Sequence, residues 1–201
     1  MLNVAAVPRP EHPLNLEQLA KSMIESIGYF PGWYWYLLSD PVEGPLLLRQ
    51  HPESLFDALH AKPDSWMTTL CAKDGLKDWL DRDKRGGVQE YVTGNMRQEF
   101  VERMSRDGFE ASLCYYRALV TNIMYEQDNS YPVERYRINV PYLFVACARD
   151  VVCRPAAVAR LSGLGMTPHL TVEHLDAGHW CILEKPKEVG EIFVRWLDAH
   201  Y

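Results

Sequence analysis

Two fragments of the C-terminal third decide how this chain is read: Tyr142-Leu143-Phe144-Val145-Ala146-Cys147-Ala148-Arg149-Asp150 and Leu175-Asp176-Ala177-Gly178-His179-Trp180. The first opens on the continuous apolar run Tyr142 to Cys147, the pattern of a strand buried on both faces of a parallel sheet. It then passes into Arg149-Asp150. The second follows His169-Leu170-Thr171-Val172-Glu173, which reads as another short strand, and ends on a histidine in a loop made tight by Gly178. In α/β sheets, functional groups collect just beyond the carboxyl ends of the strands. An Asp and a His so placed can meet. The carboxylate then orients the imidazole and stabilises its charged form, which makes His179 a competent general base. Taken singly, each has a plainer reading: Asp150 as a loop carboxylate, His179 as a histidine packed beside Trp180. Their joint placement favours a catalytic acid–histidine pair, or the remnant of one.

Working outward, Pro155 opens a helix from Ala156 to Leu161, broken by Gly163 and Gly165. Pro186 opens the last helix, where Val189, Ile192, Phe193, Trp196 and Leu197 make a core-facing stripe with Lys187, Glu191 and Arg195 outside it. Strand, helix, strand, helix is the alternation of a parallel sheet with crossover helices. At the other end, Leu2 to Val7 reads as a short buried strand stopped by Pro8 and Pro10. The middle is helical. Asn15 caps a helix over Leu16 to Ile27, closed by Gly28. Pro52 starts one over Glu53 to His60, and Asp64 to Asp81 holds helical pieces broken at Asp74-Gly75. Gly94-Asn95 starts a helix that Gly108 ends, and Phe109 to Gln127 reads as one longer helix. Asp81 to Gly87 is a charged loop expected on a solvated surface. The expected division is a first core strand at 1–8, an all-helical lid at 9–138 and a C-terminal α/β segment at 139–201.

The chain has 201 residues with 47% hydrophobic composition and a formal net charge of −6, sufficient for a real core and unsuited to a nucleic-acid partner. No run approaches the roughly 20 apolar residues of a membrane span. The five cysteines form no Cys-x-x-Cys pair and are expected as buried, reduced thiols of a cytoplasmic protein. His169, His174 and His179 lack metal-ligand spacing, so neither a metal nor another cofactor is expected. Aromatic residues cluster at Tyr29–Tyr36 and Tyr115-Tyr116, which suits an apolar pocket for a small molecule.

From Tyr142 to the C-terminus the sequence resembles the end of an α/β-hydrolase, specifically of the epoxide hydrolase branch. Arg149-Asp150 matches the strand end that carries the family's acid. Ala177-Gly178-His179-Trp180 with Glu184-Lys185-Pro186 matches its histidine loop and final helix. The resemblance reaches back through Cys114-Tyr115-Tyr116-Arg117 and Gly32-Trp33-Tyr34-Trp35-Tyr36, which are similar to the two lid segments that carry tyrosines. It implies a partial α/β-hydrolase fold, a short parallel sheet with flanking helices and an inserted helical lid. It also implies catalytic roles for Asp150, His179, Tyr34 and Tyr116, with Trp33, Tyr36, Tyr115 and Trp180 around the substrate. Two phenols in a dry pocket can hydrogen-bond to an epoxide oxygen and protonate it as the ring opens. As plain packing, the same tyrosines are amphipathic core aromatics.

Neither the Gly-x-Asp-x-Gly elbow of the family nor the Gly-x-Ser-x-Gly of its relatives occurs in this sequence, and His12-Pro13 does not match the family's oxyanion loop. The resemblance is therefore to the C-terminal half alone. Three readings follow. The chain opens epoxides without a covalent step, adding water or closing a ring with an internal hydroxyl; or it is an inactive hydrolase fragment; or it is a non-catalytic binding or assembly protein. In each, an open sheet edge is expected to be covered by a second copy or a partner chain.

Overall fold

The computed structural model describes residues 1–6 and 8–201. It divides into two compact units, one of Met1–Glu11 with Glu126–Tyr201 and one of His12–Tyr125.

The His12–Tyr125 unit is helical. Its first helix, α1, spans Leu16–Ile27, with the Asn15 side chain accepting from Gln18 N and Gly28 closing it at φ 87°. Leu16 and Ala20 of this helix bury against Phe30, with Leu19, Met23 and Trp33 alongside. Then come α2 (Tyr34–Ser39), α3 (Glu43–Gln50), α4 (Pro52–Leu59), a 3-10 turn at Pro63–Met67, α5 (Gly75–Asp81), α6 (Met96–Asp107) and α7 (Glu110–Val120). Helix α2 packs on α3, α5 and α7, and α4 on α5 and α6. The charged loop at 81–87 is anchored rather than free. Buried Asp57 accepts from Gly86 N at 2.7 Å and from Arg97 Nε at 2.8 Å.

The expected helix from Phe109 to Gln127 is two helices, α7 and then α8 (Tyr125–Ser130). The reason is Asn122, which takes a left-handed φ of 56°. Its side chain both donates to Leu14 O and accepts from Leu14 N, which ties it to the segment before α1. Helices α2 and α3 lie where the sequence offered only turn signals: one is six residues of mostly aromatic and leucine character, the other carries Gly44-Pro45 in its first turn.

The other unit holds the sheet. Strand β1 (Tyr142–Cys147) runs parallel to β2 (Leu170–Leu175), in a register pairing Tyr142 with Leu170 and Cys147 with Leu175. The crossover is α9 (Ala157–Gly163), and α10 (Cys181–Glu184) and α11 (Pro186–His200) follow β2. Every residue of β1 is buried. Leu143, Val145 and Cys147 face Leu175, Cys181, Val189 and Ile192, while Tyr142, Phe144 and Ala146 face Val158, Ile138 and Ala5. That two-sided burial is why β1 reads as an unbroken apolar run rather than an alternating one.

On the far side of β1 the expected strand at Leu2–Val7 is reduced, among the described residues, to one parallel bridge between Leu2 and Val145. Val145 N donates to Met1 O and Asn3 N to Val145 O, each near 3 Å, and then Asn3 takes a φ of 42° that turns the chain away. Val7 lies outside the described residues.

Phe144 is fully buried at the centre of β1. Phe144→Ala is expected to cost about 3–5 kcal/mol, since the cavity left in a two-sided core cannot collapse. Chemical denaturation monitored by circular dichroism measures the loss.

Candidate active site

Asp150 lies three residues past the end of β1, where Asp150 N still donates to Cys147 O at 3.2 Å. The chain turns there because its own carboxylate holds the turn: Oδ1 accepts from Val152 N and Cys153 N, both at 2.9 Å. The second oxygen faces inward. Oδ2 accepts from Asn3 Nδ2 at 2.8 Å and from His179 Nδ1 at 2.8 Å. An ionised carboxylate only accepts, so Nδ1 carries a proton and Nε2 is the nitrogen that can exchange one with a reactant.

The histidine loop is fixed from both sides. Ala148 N donates to Leu175 O and Arg149 N to Ala177 O, extending the β1–β2 pairing past the strands. Glu184 of α10, its side chain only 5% exposed, accepts from Gly178 N at 2.9 Å and pairs with Arg149. Arg149 also reaches Asp176 through its side chain at 3.0 Å. The Trp180 ring stands edge-on to His179 at 5.2 Å between centroids. Residues Arg149, Gly178, Trp180 and Glu184 of the motif thus brace the loop that presents the imidazole.

Asn3 is a member of this cluster that sequence reading passed over. Besides Asp150, its Nδ2 donates to His179 O at 2.7 Å and lies 3.4 Å from His179 Nδ1, and its Oδ1 faces the Cys181 thiol. Asparagine is among the few residues that tolerate the positive φ required here. A polar residue inside an apolar run before two prolines was the available signal.

The electrostatics follow from burial. The Asp150 side chain is 0% exposed and that of His179 is 23% exposed. Desolvation alone would raise the Asp150 pKa, but the hydrogen bond and charge of His179, with Asn3 and Cys153 N, hold it below its ordinary value. Desolvation alone would lower that of His179, yet Asp150 and the neighbouring Cys153 push it up to about 10. The resting pair is therefore imidazolium and carboxylate.

Two of the five cysteines depart from the expected burial: Cys114 is exposed and Cys153 is half-buried. Side-chain donor atoms of Asp150, Cys153 and His179 all lie within 4.8 Å of one another. The shortest contact in that group is the carboxylate–imidazole hydrogen bond, which occupies Nδ1. The arrangement is thus an acid–histidine pair with a thiol beside it. Beneath it, Cys147 and Cys181 are buried and hydrogen-bonded to each other. That bond and its burial hold the Cys147 thiol well above its ordinary range, so it stays protonated.

In the helical unit, the Tyr34 and Tyr116 rings meet edge to face at 5.9 Å, and Tyr115 stands against Tyr116 at 5.4 Å. Trp33 stacks on Tyr36 at 5.7 Å. A cavity of about 110 Å³ is bordered by Trp33, Tyr34, Tyr36 and Leu37. Tyr115 is 71% exposed and does not border it.

Asp150→Asn tests the pair directly. Removing one partner of a largely buried pair is expected to cost about 2–3 kcal/mol, less than for a fully buried one because His179 is partly solvated. The sign with pH follows from linkage. The Asp150 contribution is present above about 3.8 and lost as pH falls through its lowered folded value; the His179 contribution is whole below 6.5 and lost as pH rises through about 10. The stability gap between wild type and variant should therefore be widest between these two ordinary values and narrow on either side, as measured by urea unfolding across pH.

No protein-family model matches the chain. It is 30% identical over 201 residues to bifunctional epoxide hydrolase 2 of Rattus norvegicus and 24% identical over 198 residues to that of Sus scrofa, in each case across 98% of this chain and 34% of the relative. The chain thus spans about a third of the length of these curated relatives. Among solved structures, an epoxide hydrolase from an endophytic Streptomyces superposes with a TM-score of 0.70 at 21% identity, covering 98% of this chain and 59% of that one. Potato epoxide hydrolase I superposes at 0.67 and 19% identity, covering 98% and 60%. The homologues of this chain are epoxide hydrolases, it spans part of the length of each, and its fold is a partial α/β one.

Proposed function

We propose that this chain performs acid–base chemistry on small apolar or aromatic epoxides. Tyr34 and Tyr116 activate the ring oxygen, and His179 with Asp150 removes a proton from water or from a hydroxyl of the substrate itself. The single observation that carries the reading is the buried hydrogen bond at 2.8 Å between Asp150 and His179, braced by Asn3 and placed beyond the carboxyl ends of two parallel strands. The Tyr34–Tyr116 ring contact supports it, because it brings the two phenol rings together edge to face at 5.9 Å. The relatives' name supplies the substrate class. An incoming water makes the product a diol; an internal hydroxyl makes it a ring.

The experiment is turnover of a panel of alkyl and aryl epoxides, some bearing an internal hydroxyl, by the purified chain. His179→Ala is expected to lower the rate by about 10²–10⁴-fold, the usual worth of a positioned acid–base group. Tyr34→Phe and Tyr116→Phe are each expected to lower it by about a hundredfold, as for lost donors to a developing oxyanion. A base must be neutral to act, so the rate should climb about tenfold per pH unit until it levels near the His179 value of about 10. A folded chain with no turnover across the whole panel overturns the reading.

A second reading rests on a different observation. Among the described residues, β2 pairs with β1 on one side only, and Val172 on it is part-exposed. An unpaired strand edge is a template for another chain. A second copy or a partner chain would cover it in a non-catalytic assembly. Light scattering decides this: a stable dimer supports it, and a monomer at all accessible concentrations contradicts it.

A further inference from the structure

Cys153 has no part in the chemistry proposed so far, yet its sulfur lies beside both members of the acid–histidine pair. Its position is imposed. The Asp150 carboxylate accepts from Cys153 N at 2.9 Å, which fixes the backbone of Cys153 in the turn and brings its side chain back over the pair. Sγ then lies within 4.8 Å of both the Asp150 oxygen and the His179 nitrogen. The residue is neither sealed in the core like Cys71, Cys147 and Cys181 nor fully exposed like Cys114. A half-buried thiol beside an imidazole, itself oriented by a buried carboxylate, is the arrangement that turns a cysteine into a nucleophile.

We propose that Cys153 is a nucleophilic alkylation site, its sulfur set beside the His179 imidazolium that Asp150 orients, with small carbon electrophiles as its ligand class. Neutral alkylating agents such as haloacetamides belong to that class independently of the function proposed above; epoxides belong to it as well, and that part rests on the epoxide reading. The step balances without an oxidant. The thiol loses its proton to solvent, and sulfur bonds to one ring carbon as that carbon's C–O bond breaks. The His179 imidazolium gives a proton to the freed oxygen and regains one from solvent. The product is a β-hydroxyalkyl thioether on Cys153. Water does not cleave a thioether, so each chain reacts once: the site captures electrophiles and does not turn them over.

A free thiol is only a few per cent thiolate at neutral pH. Full ionisation would raise that fraction about thirtyfold, and the lower intrinsic nucleophilicity of a stabilised thiolate trims the gain to about five- to tenfold. The experiment follows labelling of each cysteine by peptide mass spectrometry, using iodoacetamide and, separately, styrene oxide at neutral pH. The expected result is that Cys153 in the folded chain reacts about five- to tenfold faster than the same cysteine in the urea-unfolded chain, and that His179→Gln removes the acceleration without changing the rate at Cys114. A folded-state rate at Cys153 equal to or below the unfolded one overturns the proposal, as does an acceleration that survives His179→Gln. A His179→Gln chain that fails to fold betrays itself by labelling at Cys71 and Cys147, and the folded-against-unfolded comparison in the wild type then decides alone. The adduct is one per chain and the iodoacetamide arm needs no epoxide recognition, so its result is separate from whether epoxides are turned over.

Discussion

The hydrogen bond between Asp150 and His179 is the contact on which the rest of the sheet-bearing unit depends. A carboxylate with no exposed side-chain surface needs every lone pair engaged, and the fold arranges itself to do that. The turn after β1 supplies two backbone N–H groups, the residue beside β1 supplies a carboxamide, and the loop after β2 supplies an imidazole. Three separate stretches of chain are thereby tied at one atom group. The same network gives the site its chemistry, because the charge that stabilises the fold also keeps a proton on the histidine.

This dependence explains why Asn3 matters as much as the two residues it joins. It connects the segment at the outer side of β1 to the acid, to the histidine loop and to the thiol of Cys181. Glu184 plays a matching part from the other direction, since it holds Gly178 N and Arg149 together. The pair sits on strand ends whose spacing is set by a regular parallel ladder, and its orientation is set by side chains arriving from α10 and from the first residues of the chain.

Much of this was legible in the sequence, for identifiable reasons. The run Tyr142–Cys147 announced a strand covered on both faces, and Asn15 and Gly28 marked both ends of α1 because capping is local chemistry. Pro186 and the stripe through Val189 and Ile192 gave α11. What failed to show was set by contacts distant in sequence. Nothing near Asn122 says that Leu14 will claim its side chain and end α7. Nothing near Asn3 says that Asp150 lies beside it. Cys153 looked like one more apolar-flanked cysteine, and only the turn built by Asp150 brings its sulfur to His179. Short helices such as α2 escape because aromatic packing, rather than periodicity, holds them.

The chain therefore combines a hydrogen-bonded carboxylate–histidine pair and a thiol placed against that pair. The central claim is that a buried carboxylate holds His179 as an imidazolium in the resting protein. Heteronuclear NMR of the His179 ring nitrogens across pH tests it most directly. The account predicts a titration near 10 in the wild type, moving toward the ordinary 6.5 in Asp150→Asn. A wild-type His179 that already titrates near 6.5, unchanged by that substitution, would contradict it.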